Sequence, residues 1–410
     1  MNAFICHVPL HYYLFASIYK NLENSVFLVP PMLDRTVSEE YGGGLSGKGQ
    51  DIYIKDFLIS KDVRVGDYGD VTKENFINYI NDNIDTIICP HLFIGITEIF
   101  NKRIIKLVYG VPSDTRSLKG EYIYLMDLIV TFGKESAERI SKKKIKAVPA
   151  GNPLFDDWHN DKVDEKQILY INNKLDSSKK TLLYLPTWGE DSSIDRFFGA
   201  VASLTDTYNV ITKLHHGTFY GEANRLCKCL SYPEVIILAD YFDVLPLYKV
   251  SDIVITDGIS GATFDALSID KSILTVGSSV KDYGMESTVN RKNSILEKIP
   301  FVDNPSNLRE TLEKIAEISI VLDEETKKAL FSCRDGKAGK RIAEIILDEE
   351  QYSASTMLEK YDRALEYISD SKVKGPIQGG KNQFLRRYYP GKTKKRNLLS
   401  RAFRRLLKGR

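Results

Sequence analysis

The chain has 410 residues, of which 43% are hydrophobic and 27% are charged, proportions typical of a globular protein with room for about two domains. Its 27 glycines and 14 prolines argue against fibrous and disordered classes. Five cysteines are sparse and odd in number, so no disulfide framework is expected. Because no signal peptide and no run of ~18 apolar residues is present, we expect neither secretion nor a transmembrane helix.

The net charge of +2 conceals a basic C-terminal segment. Residues 376–410 carry 12 Lys or Arg and no Asp or Glu, which leaves −10 on the preceding residues. Leu399, Phe403, Leu406 and Leu407 would share one face of a helix among arginines, a pattern typical of an interfacial anchor. We expect this tail to bind an anionic membrane surface; a solvated basic tail is the alternative. No recognition motif for nucleic acid is found in the body of the chain.

Short apolar runs alternate with amphipathic, helix-like stretches, which predicts parallel α/β sheets. The first series of predicted strands lies at 3–6, 26–29, 86–89, 104–108, 128–132 and 145–149. Residues 31–85 are left unassigned, apart from a glycine loop at 42–49. That loop resembles a phosphate-binding loop, but Gly49 stands where Ser or Thr would hold magnesium. A mobile loop beside a substrate site is therefore favoured over a nucleoside-triphosphatase.

A second series of predicted strands follows the charged stretch 161–180. Its runs lie at 181–185, 209–214, 235–238, 253–256 and 272–276. We therefore predict two Rossmann-like domains, residues 1–160 and 161–350, followed by a C-terminal helix and the basic tail at 351–410.

The ends of the second series predict a ligand site. In open parallel sheets, ligands bind at the carboxyl ends of the strands. Lys213 and His215 end one predicted strand, and Asp257 ends another. Ser260 stands in an N-cap position and Gly261 opens the next helix, whose free N–H groups suit a phosphate. Histidine and lysine at such an edge suit a pyrophosphate or a departing phosphate.

The same region holds residue types that bind metals, because His215, His216, Cys227 and Cys229 occur close together in the sequence. The two cysteines lie in a helix-like stretch at spacing i and i+2. Side chains at that spacing point apart on a helix and do not readily share one ion. We therefore expect no protein-bound metal.

Six ordered segments carry a resemblance to a known family: GNPLFDDW (151–158), TLLYLPTW (181–188), NVITKLHHG (209–217), VLPLYKVSDIVITDGIS (244–260), FDALSIDK (264–271) and DGKAGKRIAEIIL (335–347). Together they resemble the CDP-glycerol glycerophosphotransferases, which include the wall teichoic acid primases and polymerases and their capsule relatives. The resemblance covers about residues 86–347 and is densest in the second half.

The resemblance implies a GT-B fold with a central cleft, a cytidine nucleotide in the C-terminal domain and an acceptor entering from the N-terminal domain. His215 would neutralise or protonate at the scissile phosphate. No cofactor is required, and magnesium would arrive only with the nucleotide. The residues expected to bind the nucleotide and phosphates are Thr187, Lys213, Thr256, Asp257, Ser260, Gly261, Thr263, Asp265 and Arg341.

The chain departs from the family pattern at the acceptor side. The family carries a general-base histidine in an H-G-T segment, and the matching stretch at 108–112 places Tyr109 there. A tyrosine with a pKa near 10 is a poor base at neutral pH. Tyr109 with a shifted pKa, Asp114 or His91 would have to serve. The loop after Asp257 is also one residue longer, and His216 and Gly217 replace a usual proline.

The resemblance, together with the basic tail, implies a cytoplasmic transferase, peripheral on the inner face of the cell membrane. It would move glycerol phosphate or a similar polyol phosphate from a CDP-activated donor to a lipid-linked or glycan acceptor of teichoic acid or capsule synthesis. A GT-B sugar transferase using a nucleotide sugar is the alternative enzyme. A non-catalytic nucleotide-binding subunit is the third interpretation, motivated by Tyr109.

Overall fold

The computed structural model describes residues 1–31, 50–99, 101–111, 121–258, 260–277, 298–315, 322–356, 359–360 and 362–363. The glycine loop 42–49, Asp114 and the basic segment 376–410 lie outside these residues. The predictions made for them therefore stay predictions.

The first half of the chain forms a six-stranded parallel sheet in the order β2-β1-β3-β4-β5-β6. All residues of β2, β3, β4 and β5 are buried, because helices cover both faces of a parallel sheet. The strands are β1 (Asn2–Ile5), β2 (Ser25–Leu28), β3 (Thr86–Cys89), β4 (Arg103–Leu107), β5 (Leu128–Thr131) and β6 (Ala147–Pro149).

The helices of this half are α1 (Pro9–Tyr19), α2 (Gln50–Ser60), α3 (Lys73–Asn83) and α4 (Lys134–Ser141), with short 3₁₀ helices at Ile96–Glu98 and Glu121–Leu125. Two of them, α2 and α3, fall in the stretch that the sequence pattern left unassigned. Thr72 caps α3 by accepting the N–H of Asn75 at 3.1 Å. Leu58 of α2 and Phe76 of α3 are fully buried in the core.

The second half forms another six-stranded parallel sheet, in the order β12-β11-β10-β7-β8-β9. Its strands are β7 (Thr181–Leu185), β8 (Asn209–Lys213), β9 (Ile236–Leu238), β10 (Ile253–Asp257), β11 (Ser272–Val276) and β12 (Phe301–Val302). All the predicted apolar runs became strands. The two-residue β12 was not predicted because it is too short to show a pattern. The predicted α/β class with two Rossmann-like sheets is confirmed.

The helices that follow β6 are α5 (Asp156–His159), α6 (Glu165–Asn172), α7 (Ile194–Ala202), α8 (His216–Gly221), α9 (Ala223–Leu230), α10 (Val244–Val250), α11 (Gly261–Ser268), α12 (Leu308–Ile315), α13 (Glu324–Phe331) and α14 (Ala338–Leu347). Short 3₁₀ helices lie at Pro153–Phe155, Gly189–Asp191, Ser203–Asp206 and Pro305–Asn307. Among the described residues, no helix is long and apolar enough to span a membrane.

The end of the described chain returns to the first half. Helix α14 packs against α1, and the N–H groups of Ala338 and Gly339 donate to the Asp156 carboxylate at 2.9 and 2.7 Å. Farther on, Lys360 forms a buried ion pair with Asp127 of the first half at 2.8 Å. The range 161–350 that was predicted as the second domain thus ends in a helix that packs on the first half.

Candidate active site

The carboxyl edges of the two sheets face each other. His7, His91 and Tyr109 follow strands β1, β3 and β4, and His216 follows β8. Across the interface, His216 interacts electrostatically with His91 and lowers its pKa. The interface between the halves therefore joins the two edges where parallel sheets bind ligands.

Two tyrosines of the first half also bond to the second half. Tyr13 donates its hydroxyl to the Tyr241 carbonyl at 2.6 Å, and Tyr53 donates to the Asp240 carboxylate at 2.9 Å. Tyr220 donates to the other oxygen of the same carboxylate. The Asp240 carboxylate thus accepts hydrogen bonds from tyrosine hydroxyls of both halves of the chain.

The N-terminus of α11 is open to a ligand. The Ser260 hydroxyl accepts the Ala262 N–H at 3.0 Å, as the predicted N-cap requires. Apart from its chain neighbours and its own helix, no residue in the described part of the chain places an atom within 4 Å of the position that a Cβ of Gly261 would take. The first N–H groups of a helix lack partners within the helix and carry partial positive charge. This end of α11 therefore offers donors to an anion in open space.

His215 caps the neighbouring helix α8. Its Nδ1 accepts the Gly217 N–H at 2.9 Å, so the hydrogen of the neutral ring is on Nε2. Burial, the nearby His216 and Lys213 hold the pKa of His215 well below its usual value. The imidazole is therefore a neutral hydrogen-bond donor in this arrangement. This geometry fits the expected stabilisation of a phosphate better than it fits proton donation.

Lys213 ends β8 on the same side of the sheet. Its ammonium donates to the Asp240 carbonyl at 2.9 Å. Burial lowers the pKa of Lys213 to about 8, while Asp240 and Asp243 oppose that shift. Lys213, which was predicted to bind phosphate, is thus hydrogen-bonded to Asp240, whose carboxylate also accepts the Tyr53 hydroxyl.

Asp257 organises the loop that follows β7. Its carboxylate accepts the N–H of Thr187 at 2.7 Å, the N–H of Ser193 at 3.3 Å and the Ser193 hydroxyl. Burial raises the pKa of Asp257 to about 6, although these hydrogen bonds act in the opposite direction. Two predicted donor-site residues, Asp257 and Thr187, are therefore in contact. The hydrogen bond between them holds the loop after β7 in place and occupies the Asp257 carboxylate. Ser193 was missed because nothing in its local sequence indicates a distant partner.

Two other predicted residues join β10 to α11. The hydroxyls of Thr256 and Thr263 lie 2.8 Å apart and are fully buried, and Thr263 also donates to the Asp257 carbonyl at 3.2 Å. Burial raises the pKa of Asp265, on the same helix, to about 7. These groups anchor the helix whose N-terminus is open.

Arg341 occupies a different place. Its guanidinium donates to the Ala150 carbonyl at 2.7 Å and to Asp335 at 2.6 Å. Ala150 directly follows β6. The described contacts of Arg341 thus hold α14 to the end of the first sheet and do not include the N-terminus of α11.

The first half contributes a cluster of rings that sequence reasoning only partly found. His11 lies 5.5 Å from both His7 and His91, between ring centroids, and His91 lies 4.4 Å from Tyr109. His91 and Tyr109 are the acceptor-side groups that the sequence offers in this cluster. His7 and His11 were missed, although their position just after β1 was the available signal.

Burial keeps this ring cluster uncharged. It lowers the pKa of His7 to about 4 and holds those of His11 and His91 well below their usual value. Lys106 of β4 acts electrostatically on His11 and His91, donates to the Pro90 carbonyl at 2.5 Å and has its pKa lowered to about 8 by burial. Neutral imidazoles can accept or donate protons, which suits chemistry at a hydroxyl group.

The metal alternative gains no support from the described part of the chain, where no group of three or more His, Cys, Asp or Glu could hold an ion. Cys229 is buried on α9 whereas Cys227 is exposed, as their spacing predicted. His11 Nδ1 already accepts the His7 N–H at 3.1 Å.

The model of the CDP-glycerol:poly(glycerophosphate) glycerophosphotransferase family matches residues 134–348, slightly more than half of the chain. The chain belongs to this family. The resemblance inferred from the ordered segments is thereby confirmed. A teichoic acid glycerol-phosphate transferase of Staphylococcus aureus is 26% identical over 232 residues, which cover 52% of this chain and 56% of that protein. The chain thus matches about half the length of this relative.

Solved structures show the fold type. The wall teichoic acid polymerase TagF, in a structure soaked with CDPG, has a TM-score of 0.54 at 17% identity and covers 86% of this chain and 90% of its own. A UDP-GlcNAc 2-epimerase from Neisseria meningitidis bound to UDP-GlcNAc has a TM-score of 0.53 at 13% identity and covers 85% of this chain and 100% of its own. The fold of this family member is therefore of the GT-B type, as predicted.

Proposed function

We propose that the protein transfers glycerol phosphate, or a similar polyol phosphate, from a CDP-activated donor to a lipid-linked or glycan acceptor of teichoic acid or capsule synthesis. The observation that carries the proposal is that the N-terminus of α11 and His215 lie at the same carboxyl edge of the second sheet, where His215 and His216 interact electrostatically with His91 of the ring cluster. Family membership supports the donor class, and the S. aureus relative supports the reaction.

In the proposed reaction, an acceptor hydroxyl oxygen attacks the phosphorus that bears glycerol. The bond from this phosphorus to the bridging oxygen breaks, and CMP leaves with the electron pair. The N–H groups of α11 and the Nε2–H of His215 would stabilise the charge on the leaving phosphate. No cofactor is required in this scheme, and magnesium would enter only with the nucleotide.

Asp257 has a supporting part in this proposal. By holding the N–H groups of Thr187 and Ser193, it fixes the loop that carries Trp188. Trp188 stacks on His215. Asp257 would therefore act on the donor through the orientation of His215.

The basic tail would bring the enzyme to its acceptor. Its 12 basic residues would be attracted to anionic lipid at the inner face of the membrane by about 1 kcal/mol each when near the surface. The test is flotation of the full chain, and of a chain ending at residue 375, with phosphatidylglycerol vesicles. We expect only the full chain to float and phosphatidylcholine vesicles to bind neither. Equal flotation of both chains with anionic vesicles would contradict a role for the tail.

The donor is tested by calorimetric titration with CMP, CDP-glycerol, UMP and UDP-glucose. We expect cytidine binding that is weakened in His215→Ala and retained in His159→Ala, since His159 lies in α5 and its charged neighbours are Arg334, Asp335 and Asp270, none of them a predicted donor-site residue. Uridine preference would favour the sugar transferase instead. Absence of nucleotide binding would contradict both enzyme hypotheses.

The reaction itself is tested by transfer of labelled glycerol phosphate to a lipid-linked acceptor. Transfer by the purified full chain would exclude a non-catalytic subunit. Nucleotide binding without any transfer, across lipid-linked and glycan acceptors, would favour that alternative.

A further inference from the structure

The place of the missing family histidine is filled by two side chains together. Strands β3 and β4 are adjacent and parallel, with Cys89 opposite Lys106. His91 follows the first strand and Tyr109 the second, so both emerge at the same carboxyl edge. Their rings meet edge to face, with centroids 4.4 Å apart and planes inclined by 66°. An imidazole thus lies directly beside the family position that Tyr109 occupies.

Two of the other histidines near the interface, His11 and His215, have their Nδ1 atoms engaged, whereas His7 Nδ1 has no hydrogen-bond partner among the described residues but is buried and therefore closed to solvent. His11 Nδ1 accepts the His7 N–H at 3.1 Å, and His215 Nδ1 accepts the Gly217 N–H at 2.9 Å. A nitrogen that accepts an N–H cannot take a proton unless that hydrogen bond breaks. In these two neutral rings, the other nitrogen already carries a hydrogen. Neither ring is therefore arranged to act as a base.

His91 differs from them. Its ring contacts the rings of His7, His11 and Tyr109. It makes no hydrogen bond with any residue that the structure describes. One nitrogen of the neutral ring therefore keeps its lone pair available for a proton.

The surroundings keep His91 in its basic form and in place. Burial, Lys106, His7 and His216 hold the pKa of His91 well below its usual value, so the ring is neutral at neutral pH. Lys106 also donates to the carbonyl of Pro90, the residue before His91. Because His216 belongs to the second half, its influence on His91 places this ring opposite the donor edge.

Building on the proposed function, we propose that His91 is the general base that takes the proton of the acceptor hydroxyl. As the oxygen forms its bond to the phosphorus, the O–H bond breaks and the proton passes to the free ring nitrogen of His91. CMP leaves with the electrons of the broken P–O bond. Tyr109 is a positioning residue that packs against the imidazole edge.

The test compares four chains: wild type, His91→Asn, the double variant His91→Asn with Tyr109→His, and His159→Asn as a matched histidine control. Each is assayed for transfer from CDP-glycerol and, separately, for CDP-glycerol binding. We expect His91→Asn to lose at least about 100-fold in kcat, in keeping with the contribution of a positioned base. Its affinity for CDP-glycerol should stay within about twofold, because the proposed donor site lies in the other half of the chain.

Histidine at position 109 should restore transfer in the double variant by tenfold or more, since it puts a base back at the family position beside residue 91. A purely structural role of His91 would not give this rescue. His159→Asn should transfer as wild type does. If His91→Asn does not fold, the same comparison is made with His91→Gln.

The outcomes separate the two proposals. Wild-type transfer together with undiminished kcat in the His91 variant would overturn the base assignment alone. Loss of kcat without rescue by Tyr109→His would overturn it as well. A wild-type chain that binds no CDP-glycerol and transfers nothing would overturn the proposed function, and with it this assignment.

Discussion

The indole of Trp188 lies parallel to the imidazole of His215, with ring centroids 5.8 Å apart and planes inclined by 13°. Gly217 packs closely against the indole, because a Cβ there would lie 2.5 Å from the nearest indole atom. The same residue donates its N–H to His215. The stretch His216-Gly217 that follows His215 thus makes a close approach to Trp188 that requires glycine at position 217.

We predict that Gly217→Ala weakens CDP-glycerol binding about tenfold, equivalent to about 1.4 kcal/mol. The added methyl group would displace Trp188 and turn His215 away from the proposed phosphate site. Titration calorimetry checks this. Gly199→Ala is the control, since among the described residues outside its own helix a Cβ there approaches the Tyr232 hydroxyl alone, at 3.3 Å. Equal affinities in the two variants would contradict the proposed link between this packing and donor binding.

Asp257→Asn should lower both stability and donor affinity. An amide puts an N–H₂ group where a carboxylate oxygen now accepts hydrogen bonds, so one buried donor loses its partner at a cost of about 1–3 kcal/mol. Urea denaturation and calorimetry measure the two effects. Asp252→Asn is matched to it, because Asp252 accepts the Thr181 N–H at 2.7 Å at the opposite end of β7. That variant should lose stability only; an equal loss of donor affinity would count against a specific role for Asp257.

The sequence predicted the sheets well for a physical reason. Strands such as β3, β7 and β11 are continuous apolar runs, because parallel strands are covered on both faces. Helix α3 was missed since its buried residues, Phe76, Ile77 and Ile80, are few among many polar ones. Its position depends on packing against the sheet and shows little in the local pattern.

The sequence predicted where the site lies but not which hydrogen bonds its side chains make. Strand ends identified the edge that carries Lys213 and Asp257, yet both side chains bond to the protein itself. Backbone direction at a strand end does not specify side-chain partners. Likewise, His11 and His91 are far apart along the chain, and only the pairing of β1 with β3 brings them together.

Removing the hydroxyl groups that join the two halves should reduce turnover more than donor binding. In the double variant Tyr13→Phe with Tyr53→Phe, the bonds to Tyr241 and Asp240 are lost, each worth about 1 kcal/mol. We expect kcat to fall about two- to tenfold while the dissociation constant for CDP-glycerol is unchanged. Tyr220→Phe loses a bond to the same carboxylate within the second half and is the control. A similar fall in kcat for that control would argue against a role of interdomain bonding.

Acid should destabilise the protein through its buried histidines. Burial lowers the pKa of His7 from 6.5 to about 4 and that of His216 from 6.5 to about 3. The unfolded chain therefore binds more protons than the folded chain below pH 6.5, so this stability is present above that pH and is lost as the pH falls. At pH 5, each histidine would lower the free energy of unfolding by about 2 kcal/mol at most.

Other buried groups do not mimic this effect. Lys106 and Lys213, with pKa values of about 8, are mostly protonated in both states at pH 7.5 and fully protonated in both at pH 5. The pKa of Asp257 is raised to about 6, so acid stabilises the fold through that group, with the opposite sign. Wild type and the histidine variants share this carboxyl group. The difference between them in how the free energy of unfolding changes with pH therefore isolates the histidine contribution.

We therefore predict that His7→Asn and His216→Asn each lose less stability than wild type when the pH falls from 7.5 to 5.0. The difference should be about 1–2 kcal/mol per histidine. Urea denaturation at the two pH values, with free energies extrapolated to zero denaturant, measures it. Parallel losses in all three proteins would mean that these rings are protonated in the fold, and the neutral ring cluster opposite the donor edge would then be wrong.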